Sequence, residues 1–166
     1  MIAEPKKRDL VVTRLFDAPI ELVWKAWIDP EHVMRWWGPT GFTSPSAIMD
    51  FREGGTSLVC MRAPKDFGGQ DMYNTWTYNK IVPMQRIEYI LRFADKDGNK
   101  VAPVELGLPA DMPQDVRHLV TFKAVGDNTT EMTVTEYDWT VGQMMEMSRM
   151  GLEQCLDKMA ASFAEA

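Results

Sequence analysis

The segment Thr140–Ala164 reads TVGQMMEMSRMGLEQCLDKMAASFA. In it Val141, Met144, Met145, Ser148, Leu152, Cys155, Leu156, Met159 and Phe163 recur at i, i+3, i+4 and i+7 steps. That spacing predicts one apolar face of a helix about six turns long. Glu146, Arg149, Glu153, Asp157 and Lys158 fall on the other face, and Thr140 with Gln143 at its third position is the expected N-cap. The residues before Thr140 alternate with period two, so the change of period there decides the architecture. A sheet must bury one face, and this helix is the one element left large enough to cover it.

Working back from Thr140, Thr129 to Tyr137 and Asp115 to Val125 pair as a hairpin around Gly126-Asp127-Asn128. The stretch from Ala94 to Gln114 holds three prolines and reads as a long loop. Arg86 to Phe93 returns on Met72 to Ile81 across Val82-Pro83-Met84-Gln85, and Thr56 to Arg62 and Thr43 to Phe51 are further strands. Asp9 to Phe16 begins the fold as a strand. Asp17 as a cap, with Pro19 in the first turn, then opens a helix from Ile20 to Ile28. After Asp29-Pro30-Glu31 a second short helix carries Val33, Met34, Trp36 and Trp37 and ends at Gly38-Pro39. The predicted class is α+β, a curved antiparallel sheet wrapped around the C-terminal helix. One domain over 1–166 is expected, its core from about 9 to 163.

Eighteen Lys and Arg against 24 Asp and Glu give a net charge of −6, with a pI near 4.9. Phosphate contacts need a positive face, so nucleic acid is not an expected partner. No apolar run approaches the roughly 20 residues of a bilayer span, and no apolar leader follows Met1, so no membrane association and a cytoplasmic chain are expected. Cys60 and Cys155 form neither a knuckle nor a CxxC pair, and only His32 and His118 join them. Two buried thiols, an exposed His32, no metal and no cofactor are the expectation. The 13 methionines suit a surface that packs on variable shapes.

Val12-Thr13-Arg14-Leu15-Phe16-Asp17-Ala18-Pro19 followed by Val23-Trp24-Lys25-Ala26-Trp27, His32-Val33-Met34-Arg35-Trp36-Trp37-Gly38-Pro39, and Thr133-Val134-Thr135-Glu136 before the last helix form a connected pattern. It resembles the family named for the C-terminal domain of the activator of heat-shock-protein-ninety ATPase, in the START-like (SRPBCC) superfamily. The resemblance implies a helix-grip fold over a hydrophobic cavity. Relatives include lipid and polyketide binders, cyclases and a co-chaperone, so the resemblance does not single out one activity. Many relatives carry Gly-Trp where this chain has Gly151-Leu152, which predicts a cavity enlarged or reshaped there.

The expected function is non-catalytic binding of a small hydrophobic molecule between sheet and helix. The expected lining is Trp76, Tyr78, Tyr89, Val120, Phe122, Met132 and Val134 from the sheet. From the helix it is Met144, Met145, Ser148, Leu152 and Cys155. One of Trp36 and Trp37 is expected to close one end, since adjacent helical residues point about 100° apart. Asn74, His118 and Glu136 are possible polar pocket residues, read as solvated near strand ends. They are also the basis of an alternative, an enzyme acting on an aromatic or polyketide-like substrate. The other alternative is a chaperone-associated interaction domain.

Overall fold

The computed structural model describes residues 6–164. Strand β1 (Lys7–Phe16) leads into helices α1 (Ile20–Ile28) and α2 (Pro30–Trp36). Six strands follow: β2 (Thr43–Ile48), β3 (Thr56–Arg62), β4 (Asp71–Val82), β5 (Arg86–Ala94), β6 (Asp115–Gly126) and β7 (Thr129–Thr140). Helix α3 (Gln143–Ala164) closes the chain. The strands form one antiparallel sheet in the order β1-β7-β6-β5-β4-β3-β2. Its curved inner face, α1, α2 and α3 enclose one continuous core, the helix-grip arrangement. No described helix is long and apolar enough to cross a membrane.

The helix boundaries follow local chemistry, with two departures from the sequence reading. Asp29 caps α2 by accepting a hydrogen bond from the Glu31 amide, and Pro30 takes the first helical position, where no amide partner is needed. The α1 cap is Pro19 rather than Asp17, with no side-chain hydrogen bond. Thr140 does not cap α3. It is the last residue of β7 and pairs with Lys7, whose ammonium donates to the Thr140 hydroxyl at 2.8 Å. The added strand pair keeps Thr140 extended, and α3 starts three residues later.

Cross-strand register puts the inner face in rows. Tyr78, Tyr89, His118, Glu136 and Leu10 stand opposite one another across β4, β5, β6, β7 and β1. The next row is Ile87, Val120, Val134 and Val12. Helix α3 is tied to the β1 edge by polar contacts on its outer side. Arg14 reaches the Asp157 carboxylate at 2.9 Å and the Glu153 carbonyl, and Arg149 reaches the Val11 carbonyl. The Arg149 contact takes up one carbonyl of an edge that would otherwise be open to another strand.

Packing differs along the inner face. Around α1, Trp24 meets Phe51 and Phe122 edge-on, Phe51 meets Tyr78, and Phe16 meets Phe163. Leu156 and Met159 are fully enclosed there. At the α2 end the same two layers do not close completely.

Candidate binding cavity

The gap at the α2 end is a cavity of about 220 Å³ between the sheet and α3. Asn74, Tyr89, Leu91, Phe93, Val116, His118, Val134 and Glu136 form its sheet wall. Ser148, Gly151, Leu152 and Cys155 form the helix wall. Trp27, Trp36, Trp37, Gly38, Pro39, Met61, Trp139 and, from the long loop before β6, Met112 complete it. Among the described residues no lysine or arginine side chain contributes.

Both tryptophans of the expected pair reach this space. Trp36 lies on Trp76, rings 6.1 Å apart and near parallel, and donates its indole N–H to the Ala26 carbonyl at 2.8 Å. Trp37 is the C-cap of α2 with extended backbone (ψ 129°), so the angular separation of successive helical residues does not apply to it. Its ring meets Trp76 edge-on at 5.2 Å, and its indole nitrogen is buried without a partner. Gly38 follows with φ +102°, and a Cβ there would sit 3.0 Å from the Phe42 Cβ. Glycine is required on both counts. The Gly38 and Phe42 carbonyls accept from the Lys158 ammonium at 2.9 and 3.1 Å, which fixes the turn against α3.

The polar residues do not sit in water at strand ends. Register places His118 and Glu136 side by side well inside the sheet, and both are 6% exposed. The His118 Nδ1 lies 3.0 Å from the Val116 carbonyl and Nε2 lies 3.3 Å from Glu136 Oε2. A carbonyl only accepts, so Nδ1 carries a proton. Glu136 Oε1 accepts from the Trp139 indole N–H at 2.9 Å. Tyr89 stacks on the His118 ring at 4.7 Å. Burial first, and Glu136 second, hold its hydroxyl well above the ordinary tyrosine range. Asn74 is buried and donates to the Arg92 carbonyl at 3.3 Å. Burial likewise pushes the Cys155 thiol up to about 11, so it stays a neutral wall atom.

Trp139 reaches Glu136 through a bulge. Residues three apart on a regular strand face opposite sides. The β1–β7 register shifts between Arg8, opposite Trp139, and Leu10, opposite Glu136, so Tyr137 and Asp138 together face Asp9. Asp138 takes φ +61°, a conformation Asp tolerates better than most residues, and its amide donates to the Asp9 carboxylate at 3.1 Å. The extra residue turns Trp139 inward.

Of the expected lining residues, the cavity brings together Tyr89, Val134, Ser148, Leu152 and Cys155 with Asn74, His118 and Glu136. Trp76, Tyr78, Val120, Phe122, Met132, Met144 and Met145 do not line it, because neighbouring rings fill the space over most of them. Trp36 and Trp37 cover Trp76, Trp24 covers Phe122, and Trp27 donates to the Met132 sulfur at 3.2 Å. Tyr78 packs on Phe51, and its hydroxyl bonds Ser57 at 2.8 Å. Met145 is buried in the core and Met144 packs against its rim. Strict alternation hid Trp139. Trp27, Met61, Leu91, Phe93, Met112 and Val116 carried no sequence mark separating them from ordinary core. His32, expected to be exposed, is half-buried, and that burial lowers its pKa.

The family described as Activator of Hsp90 ATPase homolog 1-like protein matches residues 17–164. The chain belongs to that family. A protein of Chromobacterium violaceum with 25% identity has a similar structure, with a TM-score of 0.74 over 93% of this chain and 96% of that one. The AHSA1 protein from Silicibacter pomeroyi, 19% identical, matches with a TM-score of 0.73 over 95% and 98%. The AHSA1-like protein from Aeromonas hydrophila, also 19% identical, gives 0.66 over 93% and 90%. At those last identities the likeness speaks for the fold alone. No curated protein matches the chain.

Proposed function

We propose that this protein binds a small hydrophobic molecule, without chemical change, in the cavity between sheet and α3. The observation that carries the reading is the cavity itself, about 220 Å³ with mainly aromatic and aliphatic walls. An apolar cavity of ~150 Å³ in a small protein takes up benzene. Aromatic rings from β5, α2 and the end of β7 hold the walls apart, and Gly151 and Leu152 take up little of the space from the helix side. Acid–base catalysis is the weaker reading, since the polar atoms of His118 and Glu136 are engaged with Val116, Trp139 and each other. A contact with a chaperone, suggested by the family description, would use the outside of the fold and does not compete with an occupied cavity. Both buried thiols are free, which suits a cytoplasmic setting.

NMR titration with a panel of neutral hydrophobic compounds tests the reading. Shift changes are expected at Tyr89, His118, Ser148 and Leu152, and Leu152→Trp is expected to abolish them by filling the space. Shifts confined to the outer sheet face would remove the proposal.

A further inference from the structure

The cavity wall is apolar except along one line, and that line specifies the chemistry of the occupant. His118 and Glu136 are engaged with Val116, Trp139 and each other. Beside them, the Tyr89 hydroxyl and the Ser148 hydroxyl make no hydrogen bond among the described residues, although both residues line the space. Asn74 uses its amide N–H on Arg92, and its oxygen is likewise without a partner among the described residues. An enclosed hydroxyl with no protein partner, as in Tyr89, costs free energy that a ligand hydroxyl would recover, and half-buried Ser148 offers a second group beside it.

Charge narrows the class further. Among the described residues the lining has one carboxyl group, Glu136, and no lysine or arginine. The nearest ammonium on α3, Lys158, is spent on the Gly38 and Phe42 carbonyls. Tyr89 shows how the site treats an acidic hydroxyl, because burial and Glu136 both favour its neutral form. A ligand anion would meet the same two penalties with no lysine or arginine in the described lining to offset them. The rings of Tyr89, His118, Trp37 and Trp139 favour a flat occupant over a flexible chain.

Accepting that the cavity binds an apolar molecule, we infer that its ligand is a neutral, flat one- or two-ring compound bearing a hydroxyl, held by Tyr89 and Ser148, and that the carboxylate of the same ring is excluded.

Isothermal titration of the full chain with naphthalene, 2-naphthol and 2-naphthoate at neutral pH tests this. One recovered hydrogen bond predicts 2-naphthol binding about three- to tenfold more tightly than naphthalene. 2-Naphthoate is expected at least tenfold weaker than 2-naphthol. Tyr89→Phe, which keeps the stacked ring, is expected to bring the naphthol-to-naphthalene ratio close to one, with Ser148→Ala lowering it less. Equal binding of naphthalene and 2-naphthol, or of 2-naphthoate and 2-naphthol, overturns the inference and leaves the binding reading standing. A naphthol preference that survives in both variants overturns the assignment to Tyr89 and Ser148. Failure of all three compounds to bind overturns the inference and the binding reading together.

Discussion

The two halves of α3 carry the same apolar stripe and meet different surroundings. From Leu156 to Phe163 the helix closes on a filled core, with Leu156 and Met159 fully enclosed and Phe163 edge-on to Phe16. From Ser148 to Cys155 it faces the cavity, and Ser148, Gly151 and Leu152 stay partly exposed. What separates the halves lies across from them. Opposite the second half, Phe16 of β1 supplies a ring that reaches the helix. Opposite the first, the Tyr89–His118–Glu136 row stacks and bonds along the sheet and lines the gap without closing it onto the helix. A helix stripe therefore records which side faces inward, and the opposing layer decides whether inward means packed.

The largest expected effect breaks the hollow half at its polar support. Glu136→Ala leaves Trp139 Nε1 and His118 Nε2 without their partner and should cost about 3–5 kcal/mol in urea unfolding. Glu136→Gln retains an acceptor for the indole and should cost less. If the two variants behave alike, the pair is not what holds that end. Next, Leu156→Ala should cost about 2–5 kcal/mol, against below about 1.5 kcal/mol for Leu152→Ala, whose side chain already borders open space. Equal losses would mean that the halves are packed alike.

Alkaline pH separates the halves through their buried acids. Burial raises Cys155 from 9.0 to about 11 on the cavity side and Tyr78 from 10.0 to about 12 on the filled side. A group whose folded pKa is raised leaves stability intact below its unfolded pKa and withdraws it as pH climbs through the folded one. Stability should thus begin to fall near pH 9, losing roughly 2–3 kcal/mol through Cys155 alone at the alkaline limit. Cys155→Ala should shrink the loss that begins near pH 9, leaving the part contributed by Cys60, whose thiol burial also raises. A urea midpoint that ignores this window would contradict the burial of both groups. The smallest effect is a gain. A Cβ at Gly151 would meet only Pro39, at 4.0 Å, so Gly151→Ala should stabilise by about 0.5–1 kcal/mol. A loss would show that the cavity mouth is tighter than its geometry.

The strands, their inward faces and the terminal helix were legible because periodicity is a property of the chain alone. Asn74, Trp76 and Tyr78 do share the inner side with Tyr89, Val120 and Val134. What stayed hidden depends on partners distant in sequence. Nothing local marks Trp24 as filling the space over Phe122, so the expected lining ran the whole length of the sheet while the cavity takes one end. His118 and Glu136 looked solvated because each was placed by its own strand, and only their mutual register encloses them.

The bulge at Asp138 bears on how this chain tolerates changes of length. Facing in or out along a strand is a matter of odd and even counting, and one residue more or less reverses everything beyond it. Removing Asp138 would restore unbroken alternation and keep Trp139 on the face of Glu136, whereas with Thr135 removed alternation from Val134 would send Glu136 outside, away from His118. The surface turns at Gly98 and Gly107 have open space around them and carry no such count. A single-residue deletion is therefore absorbed in the long loop before β6. Between Val134 and Glu136, ahead of the bulge, it would rewrite one wall of the cavity with every remaining amino acid unchanged.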